Sequence, residues 1–165
     1  NGLAMELGAI SVPFREDDDS LPECAGKGPG SLEAWVSLVA LRRRLGIELA
    51  KPENSGHPLA EIEIPIEEKA FRLRDYCEQE DPLARSIFRH QAHILGWAMG
   101  DQASELDPGL IVIGGGLSQI RWLYSEVPKV WAQHVFADQV DTPLCPAQHG
   151  AASGVRGAAR LWPGA

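Results

Sequence analysis

Three consecutive glycines, Gly114, Gly115 and Gly116, follow directly on Leu110-Ile111-Val112-Ile113, and this junction holds the residue types best suited to ligand chemistry. The four apolar residues fit a short strand covered on both faces, as in parallel sheets. Glycines at its carboxyl end carry no Cβ, so the main chain can turn sharply and a phosphate or nucleoside can approach it closely. An unliganded strand-to-helix turn is the other reading of the same residues. Other chemistries are poorly served. Cys24, Cys77 and Cys145 form no pair at metal-ligand or redox spacing, and none has an identifiable base partner. No Gly-x-Ser-x-Gly elbow occurs. Among the five histidines only His90 and His93 share a helical spacing, which reads as a surface pair. The acidic run 16–19 lacks the spread of ligands and the glycine turn of a calcium loop. Glu33, taken alone, is a first-turn helix residue favoured by the helix dipole.

The elements that must position the glycines follow from the periodicity around them. Residues 12–31, with Pro13, the acidic run and Gly26, Gly28, Pro29 and Gly30, read as an irregular loop. Leu32, Trp35, Val36, Val39 and Ala40 then recur at helical spacing behind a Ser31 N-cap, which predicts one helix to about Leu45, closed by Gly46. Residues 51–65 read as an irregular connection. Pro65 opens a second helix through Tyr76. Asp81-Pro82 starts the longest helix, whose wide apolar face from Ala84 to Leu106 predicts a core element. Gly96 and Gly100 within it would allow close packing against a neighbour. After the strand and glycines, a helix is expected from about Trp122 to Val135, interrupted by Pro128. A brief edge strand is expected in 142–146, and a final, tightly packed helix from Ala151 to Leu161. Trp97, Trp122, Trp131 and Tyr124 read as core or interface aromatics. Helix, strand, glycines, helix, strand, helix is an α/β order, and parallel sheets take their ligands at the carboxyl ends of strands.

Composition bounds the function. A chain of 165 residues with 44% apolar and 23% charged residues fits one globular domain with a real core. A formal charge of −8 argues against nucleic acid as a partner, because such binding needs lysines and arginines against phosphates. The run Arg42, Arg43, Arg44 reads as a solvated helix face. No stretch approaches the roughly 20 apolar residues of a membrane-spanning helix. Unpaired cysteines without a signal-like leader fit a reducing cytoplasm. With Asn1 rather than Met at its start, the chain is expected to be a piece of something longer.

Three blocks resemble the ROK family (repressors, open reading frames and sugar kinases). Glu6-Leu7-Gly8-Ala9 is similar to the family's Glu-x-Gly-His, and Cys24 to Glu33 has the length of its Cys-x-Cys-Gly-x-x-Gly-Cys-x-Glu. The longest block runs from Glu80-Asp81-Pro82 through Leu106-Asp107-Pro108 to Gly114-Gly115-Gly116-Leu117-Ser118, with Gly157-Ala158-Ala159 recurring near the end. The resemblance implies an α/β, ribonuclease H-like (actin-like ATPase) fold, several helices on a short sheet. Residues 1–165 would then be the carboxyl-terminal lobe alone. It further implies ATP with Mg²⁺ in the complete protein, a hexose or amino-hexose substrate, a homodimer, and phosphoryl transfer to a sugar hydroxyl.

Carried onto these positions, the resemblance makes Glu6 and Glu33 sugar-binding carboxylates, each able to accept from neighbouring hydroxyls through two oxygens. Gly114, Gly115 and Gly116 become the adenosine side of an ATP cleft, with the helix start beyond them favouring anions. Two departures matter. Where the family has a histidine and three cysteines for a structural zinc, this chain has Ala9, Cys24, Gly26 and Ser31, so zinc is expected to be absent. Gly28, Pro29 and Gly30 would hold that loop by turn geometry instead. The family's catalytic Asn-Asp pair is also missing: the only asparagines are Asn1 and Asn54, neither followed by aspartate. No catalytic residue is therefore expected in this chain, and a missing amino-terminal lobe would have to supply it. The alternative is a sugar-sensing effector lobe of a ROK-type regulator, or a relative that binds without phosphorylating. An interaction module built on the long helix would bind neither ligand.

Overall fold

The computed structural model describes residues 7–15, 21–23, 28–135 and 141–161. Helices dominate, and they pack around α5 (Pro82–Leu106), the 25-residue helix announced by Asp81-Pro82. Asp81 caps it as expected: its Oδ1 accepts from the Ala84 N–H at 2.8 Å, while Asp107 closes the far end at φ 43°. The second Asp81 oxygen lies 3.2 Å from His57 Nε2, whose Nδ1 in turn accepts from Leu59 N–H and caps the short helix α3 (Pro58–Glu61). Because Nδ1 accepts there, Nε2 carries the proton and donates to the carboxylate. One histidine thus ties two helix starts together. The connection 51–65, expected to be irregular, accordingly holds a 3-10 turn at Pro52–Asn54 and α3.

The helix expected from Ser31 to Leu45 is two helices, α1 (Leu32–Val36) and α2 (Leu38–Leu49). Ser31 makes no side-chain cap, whereas Ser37 sits extended at φ −89°, ψ 175°, and accepts from the Ala40 N–H at 3.3 Å. Serine's hydroxyl competes for backbone groups and favours such starts over helix interiors. Gly46 does not end α2 but lies inside it, and the chain leaves the helix only after Leu49, where Asn54 Nδ2 donates to the Glu48 carbonyl at 2.8 Å. The three arginines of α2 are held rather than merely solvated. Arg44 pairs with the largely buried Glu48 at 3.0 Å, and Arg42 reaches Glu67 at 3.6 Å. Arg43 donates to the Ala34 carbonyl at 3.2 Å and stands 5.8 Å from the Trp35 ring centroid.

Next comes α4 (Ile66–Glu78), which buries Ala70, Leu73 and Cys77. Among the described residues the sheet is two parallel strands, β1 (Ile111–Ile113) and β2 (Leu144–Pro146), in register Ile111 to Leu144, Val112 to Cys145 and Ile113 to Pro146. Between them α6 (Leu123–Trp131) carries Pro128 and packs on α5. There the two glycines of α5 serve as expected: a Cβ on Gly96 would stand 2.6 Å from Val130 Cβ, and one on Gly100 would stand 2.8 Å from His134 Cβ. Trp131 is fully buried, while Trp97, Trp122 and Tyr124 are half-buried against the core.

Two expectations of burial fail. The strand expected to be covered on both faces exposes Leu110 at 51% and Val112 at 52%, because only the Ile113 side of β1 is covered by described residues. The final helix, α7 (Ser153–Ala159), buries no residue, and Val155 is 75% exposed. Loop 12–31 is pinned by backbone at its ends: Val12 N–H donates to Gly30 O, Leu32 N–H to Ile10 O, and Gly30 turns at φ 70°. Among the described residues no helix is long and apolar enough to cross a membrane.

Candidate functional site

The glycines stand at the carboxyl end of β1. After Ile113, Gly114 leads into Gly115 at φ 66°, ψ −159°, a region closed to residues with a side chain, and Gly116 opens a 3-10 turn to Gln119. The expected helix start is therefore a single tight turn, and the α-helix begins only at Leu123. Polar groups bind the turn to itself: Ser118 Oγ donates to Gly115 O at 2.7 Å, and Tyr124 Oη donates to Ser118 O at 3.0 Å. Burial, with Cys145 adding to it, raises the Tyr124 hydroxyl above its ordinary value of 10.0, so it remains a donor at neutral pH. A Cβ at Gly114, Gly115 or Gly116 would meet no atom within 4 Å, so all three face open space.

A second loop lies alongside. Ala147 N–H donates to Ile113 O at 2.8 Å as the chain leaves β2, and a 3-10 turn at Gly150–Ala152 packs against the turn at Gly116–Gln119. The carboxyl ends of both parallel strands thus open on one side of the molecule, where such sheets take ligands.

Beside this pair of turns runs a cleft of about 100 Å³ between α2, α4 and the glycine turn. Leu38 and Leu41 form one wall, Phe71 and Arg74 of α4 another, and Gly116, Leu117 and Gln119 the floor. Arg74 spans it: Nη1 donates to Gln119 Oε1 at 2.8 Å, while Nε and Nη2 both reach Asp75 Oδ1, at 3.1 and 3.0 Å. Phe71 is 59% exposed at the rim.

The glycines are where the sequence placed them, but Phe71, Arg74 and Gln119 were not foreseen. A signal existed for Phe71. The α4 stripe Ala70, Leu73, Cys77 fills the core, which leaves an aromatic at 71 off the stripe and in solvent. Glu33 belongs elsewhere: half-buried in the first turn of α1, it does not line the glycine cleft. The turn Leu7–Ala9 packs against α1, and Glu6, just before it, lies outside the described residues. Cys24 and Gly26 also lie outside them, and Ser31 is buried with an unpartnered hydroxyl. Among the described residues no group of three or more His, Cys, Asp and Glu could hold a metal ion.

Comparison with known proteins gives a consistent result. The model of the ROK family matches residues 1–165. An N-acetyl-D-glucosamine kinase of Haemophilus influenzae (strain 86-028NP) is 40% identical over 167 residues, an alignment that covers 98% of this chain and 50% of that protein. The structure of a ROK family glucokinase from Streptomyces griseus, solved with glucose and AMPPNP, superposes with a TM-score of 0.76 at 28% identity and covers 97% of this chain and 51% of that one. A ROK family transcriptional regulator, a homologue of the E. coli MLC protein, shares the fold with a TM-score of 0.62 at 23% identity, over 86% of this chain and 34% of that one. The chain spans about half the length of the curated relatives it matches.

Proposed function

The chain belongs to the ROK family, and from that premise we propose that it is the nucleotide-binding and part of the sugar-binding portion of an ATP-dependent kinase acting on a hexose or amino-hexose. Its two strands belong, on this reading, to a larger ribonuclease H-like sheet. The carrying observation is the open glycine turn at the ends of two parallel strands, with an apolar cleft beside it. Gly114, Gly115 and Gly116 would let a nucleotide lie against bare main chain, and Glu33 with Glu6 would accept from sugar hydroxyls. An N-acetylated amino-hexose is the favoured substrate, because the relative that is 40% identical along nearly the whole chain is an N-acetyl-D-glucosamine kinase, whereas the glucokinase that covers 97% of the chain is 28% identical.

Phosphoryl transfer is mostly positioning and charge stabilisation, completed by a base that takes the hydroxyl proton. No aspartate follows either asparagine here, so the chain binds but does not activate the hydroxyl. A regulator or non-catalytic relative is the second reading, favoured by Ala9 in place of the family's histidine. Calorimetric titration of the chain with AMPPNP and with N-acetylglucosamine tests the binding claim, and an assay for sugar phosphate with ATP and Mg²⁺ tests the rest. Nucleotide binding abolished by Gly115→Val, with no sugar phosphate formed, is expected. Turnover by the chain alone would overturn the missing-base argument, and undiminished AMPPNP binding by the Gly115→Val variant would remove the glycines from the site.

A further inference from the structure

We propose that Arg85 is a positioning residue for the bound nucleotide: by holding the ring of Trp122 it sets the glycine turn that ends at Gln119; this rests on the nucleotide reading above. Gly114, Gly115 and Gly116 have no side chains with which to grip the rest of the molecule. Ile120, just after the turn, is buried, but apolar contact has no direction and leaves the orientation of the turn open. Directional contacts reach the segment 119–122 from the end of α4 and the start of α5. Arg74 Nη1 donates to Gln119 Oε1 at 2.8 Å, the Arg121 N–H donates to Glu78 Oε1 at 3.2 Å, and the Arg85 guanidinium stands 4.9 Å from the Trp122 ring centroid.

The first two contacts join exposed groups, where water competes for every donor and acceptor. The third is different. The Arg85 side chain is only 22% exposed, and its Nε donates at 2.7 Å to the Cys77 carbonyl, one of the last of α4, so the guanidinium cannot swing away. A planar cation held over the face of a half-buried indole fixes the distance and the tilt of that ring, and the attraction strengthens as water is excluded. Trp122 leads directly into α6, and from there the constraint runs back to the glycines. Tyr124 Oη donates to Ser118 O, and Ser118 Oγ donates to Gly115 O. A ligand that lies on bare main chain needs that main chain in one place, and Arg85 supplies the anchor from outside the cleft.

Amide hydrogen exchange and calorimetry on the same variants test this. Arg85→Met and Trp122→Leu should each lower the protection of the Ser118 and Ile120 amides about tenfold, at least about threefold more than that of amides within α5, and should each weaken AMPPNP binding about fivefold. Because Arg85 acts through Trp122, the double variant should lose no more than about twofold beyond the worse single change, whereas independent contributions would multiply. Arg85→Lys, which keeps a cation over the ring, should recover AMPPNP affinity to within about threefold of the unaltered chain. Equal falls in the turn and in α5, multiplied losses in the double variant, no recovery in Arg85→Lys, or an AMPPNP affinity of Arg85→Met equal to that of the unaltered chain would each overturn the positioning role. Failure of the unaltered chain to bind AMPPNP overturns the nucleotide reading instead, and the exchange rates then still decide whether Arg85 sets the turn.

Discussion

Cys77 is a thiol that the fold has taken out of chemistry. It is fully buried on α4, and burial pushes its thiol from an ordinary 9.0 up to about 11; Arg85 pulls it down, and Glu78 and Asp81 push it up further. A raised value means the folded state holds the proton more tightly than the unfolded chain does. The associated stability is therefore complete below pH 9 and is lost as pH rises through 11, a change of roughly 2–3 kcal/mol. Urea midpoints measured from pH 8 to 11 should fall along this window, and Cys77→Ala should flatten that fall while costing about 1 kcal/mol at pH 7 for the lost Sγ. An alkaline limb unchanged in the variant would assign the loss to other groups. Half-buried Cys145 should label with a thiol reagent well before Cys77. At this scale the sequence shows which residues bury: the spacing of Ala70, Leu73 and Cys77 marks a core face. It does not show Arg85 beside Cys77 or Arg74 holding Gln119, since these pairings join segments whose approach only the packed helices decide.

Two helical glycines of the same type illustrate how far an element can be read in isolation. Gly46 in α2 and Gly96 in α5 both lower helix propensity, by about 1 kcal/mol relative to alanine. A Cβ on Gly46 meets nothing within 4 Å, whereas on Gly96 it would stand 2.6 Å from Val130 Cβ. Gly46→Ala should therefore raise stability by about 0.5–1 kcal/mol, and Gly96→Ala should lower it by about 1–3 kcal/mol as α5 and α6 are forced apart. Chemical denaturation of both variants checks the signs, and a stabilising Gly96→Ala would mean the helices are not in contact there. The packing role of Gly96 was legible, because small residues inside a wide apolar stripe have few other uses. The break at Ser37 was not. Leu32, Trp35 and Val36 continue at helical spacing into Val39 and Ala40, but the extended Ser37 turns the chain between them, so Ala40 stays in the core and Val39 ends 48% exposed.

At the scale of the whole molecule, the composition of β1 and its surroundings disagree. Leu110 to Ile113 is written for cover on both faces, yet among the described residues only one face is covered. Leu106, Leu110 and Val112 are each more than half exposed, and beside them Leu7, Met99 and Ile111 line a groove of about 550 Å³. Among the described residues both strands of the two-stranded sheet are also edges, and edge backbone can pair with another chain. Folded proteins seldom leave contiguous apolar surface of this kind to water without a use for it. The chain by itself should therefore bind a hydrophobic dye such as ANS and associate as its concentration rises. Val112→Lys places a charge at the centre of the face without touching the core, so it should cut dye fluorescence several-fold, shift sedimentation toward the smaller species and leave the thermal midpoint within a few degrees. Unchanged fluorescence, with unchanged sedimentation, would mean that this face of β1 is not open to water in solution.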